Sequence, residues 1–155
     1  MTSNDIPRIL IIKGSSQYDA ARCFCDEVQQ GFLNLGCLVT MLDLTTFPDV
    51  SNPMLFEEYN MVFSFDIAGI ELYNTMQVKP FFWTFLIDPP IYLNERLKQI
   101  DENIMVSCID KHHVLYLDRY YKNIPWVCFM PHGGATNEIP TFIPDNERKY
   151  NVIFM

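Results

Sequence analysis

The chain has 155 residues, 49% of them hydrophobic and 19% charged, which is enough to bury one real core and excludes disorder as the main state. A formal charge of −8 excludes non-specific binding to nucleic acid or anionic membrane, because both need a positive field. The longest strong apolar run, residues 81–87, falls far short of the ~20 residues of a spanning helix, and the polar residues 1–8 hold no signal-peptide core, so a cytoplasmic protein is expected.

Residues 8–13 (RILIIK) form a continuous β-branched run, the pattern of a strand buried on both faces. Gly14-Ser15-Ser16 breaks it. A helix is predicted over 18–35, where Ala21, Phe24, Cys25, Val28, Phe32 and Leu35 recur at three- and four-residue steps. Ser16 can cap its start and Gly36 can close its end. A second strand covers 37–44 (CLVTMLDL). Pro48, Asn52 and Pro53 punctuate a loop, and 54–59 suits a short helix. The third strand is 61–65 (MVFSF), ending at Asp66, with helical potential over 68–76. The fourth is 81–87 (FFWTFLI), ending at Asp88, where Pro89-Pro90 forbids further pairing. A modest helix is expected over 92–100. The fifth strand, 104–109 (IMVSCI), ends at Asp110, the expected cap of a helix over 111–121. The sixth, 126–130 (WVCFM), runs into Pro131-His132-Gly133-Gly134. A Pro-rich loop then leads to a strand-like end, 151–155.

Strand and helix alternate throughout. That pattern predicts an α/β fold, a doubly wound, mostly parallel sheet of about six strands in a Rossmann-like three-layer sandwich. The expected strand order is 3-2-1-4-5-6, with ligands outside the carboxyl ends of the strands. The aromatic load (Phe 12, Tyr 8, Trp 2) fills a core, lines a cleft or covers a second domain. The five cysteines are odd in number and scattered among apolar residues, which reads as buried free thiols; no His/Cys/carboxylate spacing suggests a metal site.

Parallel strands put the chemistry on one rim. Gly14, Ser15 and Ser16 can offer backbone N–H groups and hydroxyls to an anion or a sugar hydroxyl, or form an ordinary capped turn. Asp66 can cap the following segment or bind a ligand, and Asp110 serves as a cap or as part of the rim. Asp88, held extended by the following proline, can accept hydroxyl hydrogen bonds or act as a general base; its plainer role is a turn carboxylate. His132 precedes two glycines, Gly133 and Gly134, which allow close backbone approach to a ligand; it can transfer protons near neutral pH or bond locally in the turn. No G-x-G-x-x-G, P-loop lysine or G-x-S-x-G is present.

The sequence of residues 126–155, WVCFMPHGGATNEIPTFIPDNERKYNVIFM, resembles the hinge between the two domains of GT-B-fold glycosyltransferases. There a strand ends in a proline-polar-glycine turn, and a strand of the Y-[DN]-[VI]-x-F type opens the second domain. The counterparts are Pro131-His132-Gly133-Gly134 and Tyr150-Asn151-Val152-Ile153-Phe154. Upstream, FWTFLIDPP (residues 82–90) is similar to a segment of the spore-maturation-protein-like branch, which carries an uncharacterised N-terminal domain ahead of a family 1-type transferase domain. The resemblance is concentrated in residues 81–155. It implies that 1–149 is the Rossmann-like, acceptor-side domain of a nucleotide-sugar-dependent glycosyltransferase. Residues 150–155 then begin a missing C-terminal domain that holds most donor contacts, and the fragment alone is expected to be inactive.

Carried over by position, Asp88 or His132 is the catalytic base for an acceptor hydroxyl, while Gly14, Ser15 and Gly133 approach acceptor or diphosphate. The remaining rim residues, Ser16, Asp66, Asp110 and Gly134, complete the expected substrate-binding set. No cofactor is expected in this domain, only a nucleotide-sugar donor for the longer protein. His132 stands where Asn is frequent in the family, and Ala135 where an acidic residue is often found. The rival reading is a non-catalytic flavodoxin- or receiver-like interaction domain with an aromatic binding surface. A third is a small flavin-binding protein.

Overall fold

The computed structural model describes residues 6–15, 19–46, 59–131 and 133. All six strand-forming runs are strands: β1 (Arg8–Lys13), β2 (Leu38–Asp43), β3 (Met61–Phe65), β4 (Phe81–Leu86), β5 (Ile104–Cys108) and β6 (Trp126–Phe129). Every neighbouring pair is parallel, so the sheet is the expected α/β type. Its order is β2-β1-β3-β4-β5-β6, not the expected 3-2-1-4-5-6. After β2 the chain crosses back over β1 and lays β3 on the far side, with Ile9 opposite Met61 and Ile12 opposite Ser64. The point where the winding reverses therefore lies between β1 and β3.

The helices are α1 (Ala20–Asn34), α2 (Ile70–Asn74), α3 (Asn94–Leu97) and α4 (Lys111–Tyr120), with a 3-10 turn over Pro90–Leu93. Side-chain alternation sorts them into layers. On one face Leu10, Ile12, Val62, Phe82, Leu86, Ile104 and Val106 pack with Ile70, Tyr73, Leu97 and Leu117 of α2, α3 and α4. On the other, Ile9, Ile11, Phe63, Phe65 and Phe85 pack with Phe24, Cys25, Val28 and Phe32 of α1. Four consecutive buried residues in β1, Ile9 to Ile12, follow from covering both faces.

Local chemistry fixes α1. Gly36, at φ 82°, closes it: the N–H groups of Gly36 and Cys37 donate to the carbonyls of Leu33 and Phe32 at 2.9 and 3.1 Å. Near the other end, the Arg22 guanidinium grips the Asp43 carboxylate with two hydrogen bonds, 2.9 Å to Oδ1 and 2.5 Å to Oδ2, tying the helix to the end of β2. Ser16, the expected cap, lies outside the described residues, as do most of the helix expected over 54–59 and all of the strand expected over 151–155. The described cysteines are free, but only Cys25 and Cys108 are buried; Cys23 is exposed.

Candidate functional site

At the reversal of winding, β1 and β3 send their carboxyl-end loops in opposite directions and leave a crevice, the usual ligand position in open α/β sheets. Two features shape it. Gly14 approaches the loop after β3 so closely that a Cβ there would stand 2.8 Å from that of Ala68. That loop itself turns through left-handed conformations at Asp66 (φ 49°), Ile67 (φ 58°) and Gly69 (φ 79°). A β-branched residue in this region is strained, by about 1–2 kcal/mol. The strain persists because the turn is over-determined. Ile67 is fully buried, and its N–H donates to the buried Thr84 hydroxyl at 2.9 Å. Asp66 and Ala68 N–H groups donate to Phe85 and Phe65 carbonyls at 3.1 and 3.0 Å.

The turn aims Asp66 across to the end of β4. Its Oδ1 accepts the N–H groups of Ile87 (2.9 Å) and Asp88 (3.0 Å). Its backbone carbonyl accepts Arg96 Nη1 at 3.0 Å. Burial pushes the Asp66 carboxyl up to about 6; the N–H groups of Asp88 and Ile87 oppose that, and the nearby Asp88 carboxylate adds to it. Asp88 itself is exposed. The resulting cleft, about 170 Å³, is lined by Gly14, Ser15, Asp66, Ala68, Asp88 and Arg96, among others. Two carboxyls offer acceptors for hydroxyl groups, and one guanidinium offers donors.

Four of the expected site residues, Gly14, Ser15, Asp66 and Asp88, therefore share one cleft. Asp110 is used differently, as a helix cap: its Oδ1 accepts the His112 N–H at 2.7 Å at the start of α4. Gly133 lines a different cavity. Ser16, His132 and Gly134 lie outside the described residues. Arg96 is not among the residues expected from the sequence; it sits in a polar stretch between apolar core residues, and only the fold brings it beneath Asp66.

The second cavity is larger and apolar, about 630 Å³, between α1 and the sheet. Its walls include Phe24, Val28, Phe32, Phe63, Trp83 and Phe85, together with Met130, Pro131 and Gly133. Phe63 and Trp83 pack edge to face with centroids 5.2 Å apart. Trp83 Nε1 donates to the Ser107 hydroxyl at 2.7 Å, which fixes the indole in the sheet face.

Burial pushes the Cys25 and Cys108 thiols up to about 12, so neither is a ready nucleophile. Among the described residues no group of His, Cys, Asp or Glu could hold a metal ion, and no helix is long and apolar enough to cross a membrane. No family model, curated protein or solved structure matches the chain.

Proposed function

We propose that the chain is the acceptor-side, Rossmann-like domain of a nucleotide-sugar-dependent glycosyltransferase of GT-B type. In this reading the cleft at Gly14, Ser15, Asp66 and Asp88 receives a hydroxylated acceptor. The observation that carries it is the meeting of two carboxyl groups at the winding reversal, beside a strained turn. Carboxylates accept hydrogen bonds from hydroxyls and repel phosphates. Such a cleft suits a sugar or polyol better than a nucleotide diphosphate, whose contacts the resemblance assigns to a second domain.

The roles divide by exposure. Asp66 spends Oδ1 on two backbone N–H groups and so holds the segment at Asp88 in place. Asp88, at the exposed rim, is the base: it takes the proton of the acceptor hydroxyl as that oxygen bonds to the anomeric carbon and the nucleoside diphosphate departs. His132 remains the other candidate for this step.

Two measurements test the reading. In a longer protein carrying the donor-binding half, Asp88→Asn or His132→Ala should lower sugar transfer by about 10²–10⁴-fold with circular dichroism unchanged. Full turnover in both variants removes the base assignment. In the 155-residue chain, amide NMR shifts at Gly14, Ser15, Ile87 and Asp88 should respond to oligosaccharides and not to nucleoside diphosphates. The opposite pattern overturns the acceptor-side reading.

A second reading, a non-catalytic flavodoxin- or receiver-like interaction domain, draws support from the observed strand order, since 2-1-3-4-5 is the flavodoxin-like order. FMN uptake by the purified chain would favour a flavin-binding variant of it.

A further inference from the structure

We propose that β6 is a dimerisation edge, pairing antiparallel with β6 of a second copy of this chain about a twofold axis at Cys128. Among the described residues β6 pairs with β5 alone and is the outermost strand on its side. An open edge is a template for another strand unless a charge, a bulge or a covering element blunts it. Residues 125–131 (PWVCFMP) hold no charge. Trp126 is 60% exposed, Phe129 52% and Met130 36%. The opposite edge differs: β2 ends in Asp43, a carboxylate held by Arg22.

Backbone geometry fixes the register. The Met130 N–H donates to the Cys108 carbonyl at 2.9 Å, so Met130 and, two residues earlier, Cys128 turn their backbone groups toward β5. Alternation along the strand then points the N–H and C=O of Val127 and Phe129 outward. In an antiparallel pair centred on Cys128, Val127 faces Phe129 of the second copy and Phe129 faces its Val127. Each outward donor meets an outward acceptor. The two Cys128 residues stand opposite each other as a non-hydrogen-bonded pair, where Cα atoms lie about 4.5 Å apart. That spacing is within the range a disulfide spans, about 4.4–6.8 Å.

A second copy is the occupant because the segment is symmetric about Cys128. The same register sets Trp126 against Met130 and Pro125 against Pro131. The prolines fall at outward-facing positions, lack an N–H, and so end the ladder at the same place on both sides. Trp126, Phe129 and Met130, the exposed apolar side chains of the edge, each gain an apolar neighbour across the axis. An isologous contact requires this self-complementarity, whereas an unrelated strand would match it only by chance. The side chains would bury on the order of 300 Å² per copy, which places the dimer in the small, reversible class. This inference does not depend on the glycosyltransferase reading.

The test uses the 155-residue chain. Sedimentation over roughly 10–1,000 µM, the range suited to a small interface, should show a reversible dimer. The double variant Trp126→Lys/Phe129→Lys puts charge on the edge at exposed positions and should lose the dimer with circular dichroism unchanged. Diamide then reads the register: two thiols lose two protons and two electrons to it and join as a disulfide, and the diamide becomes a hydrazine. Peptide mapping should find the main link between Cys128 and Cys128 of the second copy, although Cys23 is the more exposed thiol. Random collision would favour Cys23. A chain that stays monomeric, a dimer that survives the lysine variant, or a dimer that links mainly through another cysteine overturns the proposal. Should the lysine variant fail to fold, the link formed by the unaltered chain decides.

Discussion

At the scale of single residues, Asp66 is pulled two ways. Burial favours its neutral form, while the N–H groups of Ile87 and Asp88 favour the carboxylate; burial wins and the carboxyl rises from 3.8 to about 6. A raised value means the folded chain holds the proton more tightly than the unfolded one. The stability from this proton is complete below about pH 4 and is lost as pH rises to about 6. Asp43 behaves oppositely: hydrogen bonds from Arg22 and Thr45 hold its carboxyl well below the usual range, so its contribution is present above about pH 4 and lost in acid. Asp66→Asn keeps an oxygen for both backbone N–H groups and removes the buried charge. The variant is expected to be more stable than the parent by about 2 kcal/mol at about pH 7.5, with the gap closing near pH 4. Urea denaturation at the two pH values checks this; an equal loss at both would show that the oxygen cannot be replaced by the amide's.

At the scale of elements, similar backbone angles carry different costs. Gly36 (φ 82°) has open space where a Cβ would be, whereas a Cβ on Gly69 (φ 79°) would stand 2.8 and 2.9 Å from Cδ1 and Cγ2 of Ile12. Ile12 is fully buried in β1 and stiff at χ1. Gly36→Ala should cost about 1 kcal/mol from backbone strain alone, and Gly69→Ala about 2–4 kcal/mol because the core must also move. Paired denaturation curves measure the difference; equal losses would mean that Ile12 yields freely.

The same scale shows what the sequence makes legible. Residues 8–13 and 61–65 are continuous apolar runs because both faces of their strands are covered, and that pattern needs no tertiary knowledge. Helix lengths are less legible. The region expected as a helix over 68–76 begins only at Ile70, because the left-handed turn at 66–69 must first redirect the chain. The helix expected over 92–100 splits into a 3-10 turn and α3, since Pro90 sits at the start of that turn. Strand order departs from the expected one, although a signal for it exists. In CLVTMLDL, Thr40 and Asp43 interrupt the apolar residues, and β2 is correspondingly half-exposed, as an outermost strand is.

At the scale of the molecule, that order decides which rim residues can meet. With β4 beside β1, Asp88 would have stood next to Gly14 and Asp66 elsewhere. With β3 beside β1, Asp66 stands between them and all three line one cleft. The composition of the rim is therefore legible, and its partnership is not, because sequence patterns report how each strand is covered and not which strand lies next to it. The order also divides the sheet into two stretches that are each continuous along the chain, β1 to β2 and β3 to β6. They share one seam, four residue pairs between β1 and β3, with α1 packed across it onto Phe63 and Phe65. A chain cut after Ser51 should thus give two pieces that are unfolded alone and regain native circular dichroism when mixed. Two separately folding pieces, or none that recombine, would contradict it. The winding reversal that makes the cleft would then serve also as the natural parting line of a self-assembling split protein.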